Sequence, residues 1–267
     1  MTPRLKAILR DSLPLSTQVP IKYWMNRCAG ALEAEMSLLP YLFGRGERVV
    51  DVGGNRGVYA YRMWRLGATV EVFEPNPACS RVLEAWARRR PGVTIHPVGL
   101  SDHEGATVLR VPIDAAGVEH DASASMEPHP FALVRERKVR LRRLDGFGWG
   151  DVRFVKIDVE GHEFDVLRGA AAMLAGPKPA LLVEIEQRHL QRPISGVFRF
   201  LCDAGYKGWF LDGRVLRCID AFDPTHDQDE AALGDKRRRY INNFLFLAPE
   251  RMNEPACRRM LAEFGME

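Results

Sequence analysis

The stretch Arg48-Val49-Val50-Asp51-Val52-Gly53-Gly54-Asn55-Arg56-Gly57 decides the fold. Its first half is a β-branched run without alternation, the pattern of a strand buried on both faces. Its second half holds three glycines, which permit a tight strand-to-helix turn and close approach of backbone to a ligand. Val58 to Leu66 then reads as a helix that Gly67 stops. The same alternation continues outward. Thr69-Val70-Glu71-Val72-Phe73-Glu74-Pro75 is a second strand, Ala78 to Arg90 a helix, and Val93 to Leu100 a third strand. Further strands are expected at Ala106 to Pro112, Val152 to Asp158, Ala180 to Glu186, Lys207 to Leu211 and Asn243 to Ala248. Glu163 to Leu174 and Val197 to Ala204 read as helices, and Val139 to Leu144 as a half-exposed edge strand. Strands alternating with helices imply βαβ units, hence a parallel sheet covered on both faces.

Composition narrows the class. The chain has 267 residues, 46% apolar and 27% charged, so it can bury a large core and is not disordered. Its 38 basic and 35 acidic side chains leave a net charge of +3, too small a bias to argue for a nucleic-acid partner. The basic clusters Arg88 to Arg90, Lys138 to Arg143 and Lys236 to Arg239 read first as solvated surface. The five cysteines are widely spaced and include no C-x-x-C pair, which fits reduced thiols and a cytoplasmic location. No run is apolar for about 18 residues, so no transmembrane helix is expected. Arg10 and Asp11 interrupt the apolar start, which argues against a signal peptide. Leu5, Ile8 and Leu9 share a helical face flanked by Arg4, Lys6 and Arg10, and peripheral contact with a membrane stays open. Three segments are expected: an N-terminal helical extension (1–46), a catalytic α/β domain (47–250) and a C-terminal helical tail (251–267).

In open parallel sheets, ligands bind at the carboxyl ends of the strands. The first tip lacks the G-x-G-x-x-G order that cradles a pyrophosphate. The next tip carries Glu74, a carboxylate able to accept hydrogen bonds from both hydroxyls of a ribose. A glycine turn without a phosphate cradle, followed by a ribose acid, suits an adenosine ligand without phosphates: S-adenosyl-L-methionine. Asp158, Glu160 and Glu163 crowd the fourth tip around His162, and Glu184 lies at the following strand. Asp158, His162, Glu163 and Glu184 are therefore the candidate catalytic groups. In one reading Asp158 meets the cofactor's amino group and His162 or Glu163 is the base. In another Asp158 and Glu184 bind a divalent metal through oxygen ligands. The plainer alternative is that Glu160 and Glu163 only stabilise a helix N-terminus. Trp149 and Trp209 offer rings for a sugar, with core packing as the default role.

The blocks Val50-Asp51-Val52-Gly53-Gly54-Asn55-Arg56-Gly57, Phe73-Glu74-Pro75-Asn76-Pro77, Gly99-Leu100-Ser101-Asp102 and Lys156-Ile157-Asp158-Val159-Glu160-Gly161-His162-Glu163 resemble those of the FkbM-type methyltransferases. The resemblance runs from about Glu35 to Ala248. It implies a Rossmann-like class I methyltransferase fold with about seven strands, mostly parallel. It also implies S-adenosyl-L-methionine as methyl donor, and O-methylation of a carbohydrate or glycosylated small molecule. Asp51, Gly53, Asn55 and Gly57 map to the methionine end of the donor, Glu74 and Asn76 to the ribose, Ser101 and Asp102 to the adenine. Gly54 stands where the family often has alanine, a change expected only to loosen the turn. Nucleic acid and peptide acceptors, and a non-catalytic partner that keeps the fold, are the competing readings. Oligomeric state is not legible.

Overall fold

The computed structural model describes residues 12–114, 117–127, 133–233 and 238–265. The apolar start around Leu5 to Leu9 lies outside them. Strand β1 (Arg48–Val52) runs between β2 (Thr69–Phe73) and β7 (Val152–Ile157), parallel to both. Its side chains alternate between two cores. Val49 packs with Val70, Phe154 and Leu182 on one face, while Val50 and Val52 pack with Val155, Ile157 and Leu181 on the other. Burial on both faces is what the unbroken apolar run required.

The main sheet has the order β10-β9-β11-β8-β7-β1-β2-β3. Here β3 is Val93–His96, β8 Ala180–Glu184, β9 Lys207–Asp212, β10 Val215–Cys218 and β11 Asn243–Leu247. Strand β11 lies antiparallel between β8 and β9, and β10 folds back antiparallel on β9. The sheet thus has eight strands where seven were expected. The extra one is β10, reached from β9 through Gly213 at φ 63°. The chain leaves β1 in one direction for β2 and β3 and returns on its other side at β7, so the strand order switches at β1/β7. There the Asp158 N–H donates to the Val52 carbonyl at 2.9 Å.

Three expectations change. The third strand stops at His96, because Pro97 has no N–H to continue the ladder. The chain then enters a separate three-stranded sheet made of β4 (Gly99–Leu100), β5 (Gly105–Pro112) and β6 (Val134–Arg142). Strand β6 is the centre of that sheet, not an edge, though Lys138 and Arg140 do face solvent while Val139 and Leu141 are buried. The helix expected over Glu163 to Leu174 is two, α4 (Glu163–Arg168) and α5 (Ala171–Ala175). They part at Gly169, where a β-carbon would come within 2.0 Å of the Ser101 carbonyl oxygen.

Helix α1 (Leu15–Cys28) contains Pro20 without stopping there. It packs on α2 (Val58–Arg65) and α3 (Pro77–Ala87), and Tyr23 meets the Tyr61 ring at 4.9 Å. Val19, Tyr23 and Leu42 near the start, and Met260 and Phe264 near the end, join the same core as Val49 and Leu83. Trp209 is part of that core as well, and Trp149 packs against Phe73 and Phe147. Among the described residues no helix is long and apolar enough to cross a membrane, and all five cysteines are free thiols.

Candidate functional site

The turn after β1 is shaped by what it touches. Gly53 has φ 81°, and a β-carbon there would fall 1.7 Å from the Asp158 carbonyl oxygen. Only glycine fits where the two switch-point tips meet. Gly57 starts α2 at φ 75°, and a side chain there would strike Leu83 and Val19. Gly54 corrects an expectation. A β-carbon at this position would lie 2.3 Å from Val72 Cγ1, so Val72 already fills the space an alanine would need. The turn is close-packed, not loosened.

Glu74 is buried and reaches back under this turn. One carboxylate oxygen accepts the Asn55 N–H at 2.6 Å and the other the Asn76 N–H at 2.7 Å. Burial pushes its carboxyl up to about 7, against the pull of the Asn76 and Asn55 donors. Each oxygen retains a free lone pair, so a ribose diol can still be accepted. Asn76 caps α3 by accepting the Ala78 N–H, and its amide donates to Asp121 at 3.0 Å. Asp121 also pairs with Arg56. The polar stretch after β5 therefore lies against the glycine turn.

Two cavities meet here. One, of about 50 Å³, is lined by Glu74, Pro75, Leu109, Asp121 and Met126. The other, of about 250 Å³, is lined by Glu33, Asp51, Tyr59, Lys156 and Glu184, with Lys22 and Asn26 from α1. Gly53, Asn55, Asp158 and Glu160 line both. Asp51 and Lys156 are neighbours across β1 and β7. Asp51 Oδ2 is buried without a partner, and burial raises this carboxyl to about 7 although Lys156 draws it down. Asp158 is raised to about 6 by burial, again against Lys156. Burial also raises Glu184, whose carboxylate accepts Asn242 Nδ2 at 2.6 Å and lies 3.5 Å from Lys156 Nζ.

The remaining candidates are turned elsewhere. His162 Nε2 lies 3.0 Å from the Ser101 hydroxyl, and Nδ1 lies 2.9 Å from Glu127 and 3.5 Å from Asp165. Burial works against its charge, but the Glu127 hydrogen bond and Asp165 outweigh it, so its pKa is raised. Both ring nitrogens are engaged, and His162 lines neither cavity. Glu163 folds back to accept the Gly161 N–H at 2.9 Å, close to its plainer reading as a helix-start residue. Ser101 is fully buried behind His162, and Asp102 pairs with Arg168 at 3.1 Å and His103 at 2.7 Å. The sequence reading thus brought Asp51, Gly53, Asn55, Glu74, Asp158 and Glu184 to one cleft, and placed there four groups that point away. It passed over Glu33, Tyr59, Asn243 and Asp121.

Among the described residues two groups have metal-like spacing, Glu127-His162-Asp165 and Glu160-Glu186-His189, and neither includes the Asp158 and Glu184 pair. In the second, Glu186 is already clasped by Arg188 at 2.6 and 3.1 Å and by the Tyr240 hydroxyl.

Comparison with known proteins gives a consistent picture. Residues 51–207 match the Methyltransferase FkbM domain, more than half of the chain. A protein described as Methyltransferase 1 from Beauveria bassiana is 30% identical over 142 residues, covering 45% of this chain and 57% of that one. The hexuronic acid methyltransferase AglP of Haloferax volcanii is 33% identical over 133 residues, covering 45% and 48%. The chain thus spans about half the length of these relatives. Among solved structures, a methyltransferase FkbM from Methylobacillus flagellatus shares 17% identity at a TM-score of 0.48, covering 88% of this chain and 48% of that one.

Proposed function

This chain belongs to the FkbM methyltransferase family, and from that premise we propose that it is an S-adenosyl-L-methionine-dependent O-methyltransferase acting on a carbohydrate or glycosylated small molecule. The observation that carries the reading is the pair of cavities joined at Gly53, Asn55, Asp158 and Glu160. Such a divided cleft offers a ribose acid at one end and carboxylates for a cationic amino acid at the other, and the smaller cavity would have to widen to admit a nucleoside. Glu74 and Asn76 would hold the ribose. The unpartnered Asp51 Oδ2 would face the positive amino group. Ser101 and Asp102 remain the proposed adenine contacts, which requires them to give up their present partners.

Bound there, S-adenosyl-L-methionine supplies a methyl group already activated on a sulfonium. The chain's own task is to align the acceptor oxygen and take its proton. Asp158 is the proposed base, because it borders both cavities and its carboxylate has no hydrogen-bond partner among the described residues. Glu184 supports it from the next strand. His162 positions the tip rather than reacts, since both its ring nitrogens are spent on Ser101 and Glu127, and Glu163, whose Oε1 accepts the Gly161 N–H while Oε2 has no partner, lines neither cavity. The name of the Haloferax relative favours a sugar acid as the first acceptor to try. The free thiols fit a reducing, cytoplasmic setting. The test is release of S-adenosylhomocysteine with a panel of uronic acids, neutral glycosides, an RNA oligomer and a peptide. Turnover with a glycoside alone supports the reading. Turnover with RNA or peptide alone overturns the acceptor, and cofactor binding without turnover on any acceptor favours a non-catalytic partner.

A further inference from the structure

We propose that Lys156 is the buried cation of the larger cavity: a positioning residue that favours the ionised forms of Asp158 and Glu184 beside the acceptor, so that the site needs no metal between them. The inference rests on the cleft being the methyl-transfer site. It starts from an anomaly. Lys156 is completely buried, at 0% exposure, in the second-last position of a central strand. Burying an ammonium is costly unless it is paired and hydrogen-bonded. Its neighbours come from separate elements. Asn243 Oδ1 on β11 accepts from Nζ at 2.8 Å, Glu184 on β8 lies at 3.5 Å, and the Tyr59 ring of α2 lies 5.0 Å away. Asn243 is held in turn by Glu33, which accepts its Nδ2 at 3.2 Å and the Tyr59 hydroxyl at 2.6 Å.

The charges facing this ammonium are Asp158 at the end of its own strand, Glu184 on β8, Asp51 on β1, and Glu33 and Glu35 before β1. Glu160 and Glu186 act on the same carboxylates from further along the tip. Arg188 clasps Glu186, His189 lies 2.9 Å from Glu160, and Lys22 and Arg56 also line the cavity, but Lys156 is the cation that lies against Glu184 and is fully buried among the strand-end carboxylates. The ammonium donates its 2.8 Å hydrogen bond to a neutral amide and pairs with Glu184 at 3.5 Å, so it is fixed from β11 and β8 and leaves Asp158 open to the cavity. A lysine kept only for packing would need no such arrangement. A divalent ion placed between Asp158 and Glu184 would lie against a charge of its own sign, which disfavours the metal reading of those two residues.

The test compares Lys156→Met and Lys156→Arg with the wild type in two ways. The first is an infrared titration of carboxyl groups in the ligand-free protein, which requires no turnover. The second is the pH profile of kcat/KM with the acceptor found above. For Lys156→Met, more protonated carboxyl is expected at neutral pH, and the acidic limb should move up by about one unit or more, the scale of losing an opposite charge nearby. Lys156→Arg should restore the limb. If Lys156→Met does not fold, Asn243→Ala should give the same shift at smaller size. A profile that falls in height without moving, with an unchanged infrared titration, overturns the proposal. So does activity that is lost to a chelator and restored by a divalent ion. A wild type with no turnover defeats the methyl-transfer reading instead, and the infrared result still decides the role of Lys156.

Discussion

Glu74 and Lys156 are buried charges on opposite sides of one glycine turn, and they are held by different means. Glu74 is held locally: its oxygens accept backbone N–H groups from Asn55 and from Asn76, two residues away. Lys156 is held at long range, by side chains from β8, β11 and α2, with Asn243 lying 87 residues further along. The first arrangement belongs to a turn and its neighbouring strand end. The second exists only once the sheet has formed. The proposed donor half of the cleft is therefore built close in sequence, and the proposed acceptor half by the whole fold.

Asp158 sits on the border, so its substitution is the sharpest way to break the comparison. Asp158→Asn should lower kcat by roughly 10²–10⁴-fold, the usual contribution of a general base. S-adenosylhomocysteine affinity, measured by calorimetry, should change by less than about threefold, about 0.7 kcal/mol. A loss of both together would mean that the halves do not work separately.

Gly53 and Gly54 test the turn itself. Gly53→Ala forces a β-carbon onto a backbone oxygen, which cannot retreat, at a left-handed φ. A loss of about 3 kcal/mol is expected in urea unfolding. Gly54→Ala meets only a valine methyl that can shift, and about 1 kcal/mol is expected. Equal costs would contradict this account of the turn.

The pH dependence of stability is a smaller effect with a definite sign. Burial raises Asp51, Glu74 and Glu163 to about 7. Their contribution to stability is present below the unfolded carboxylate range and is lost as pH rises through about 7. His162 and His189 are also raised, and they act in the same direction over that window. Asp102, Glu127 and Glu186 are lowered, so their contribution is lost only as pH falls below the ordinary carboxylate range. The melting temperature of the ligand-free protein should fall by several degrees between about pH 5 and about pH 8. A flat or rising profile would show that the buried carboxylates are compensated already.

The division between local and distant contacts also explains what was legible beforehand. The strand–glycine–helix unit and Glu74 could be read because residues of one βαβ unit build them, no more than 19 positions apart. The β9–β10 hairpin left a signal at Asp212-Gly213 that was passed over, and it gave the eighth strand. Pro97 similarly marked where the third strand had to stop. Glu33 and Asn243 carry no local mark at all. They matter because the N-terminal segment and β11 close on Lys156. Ser101, Asp102 and His162 were placed by motif position, yet side-chain pairing decides where they point, and spacing does not encode that pairing.

Calorimetric titration with S-adenosylhomocysteine, wild type beside Glu74→Ala, tests the central claim most directly. The account expects the wild type to bind and the variant to bind about 10–100-fold more weakly, the loss of two hydrogen bonds worth roughly 0.7–1.4 kcal/mol each. Absence of binding to a folded wild type, or equal binding by the two proteins, would contradict it.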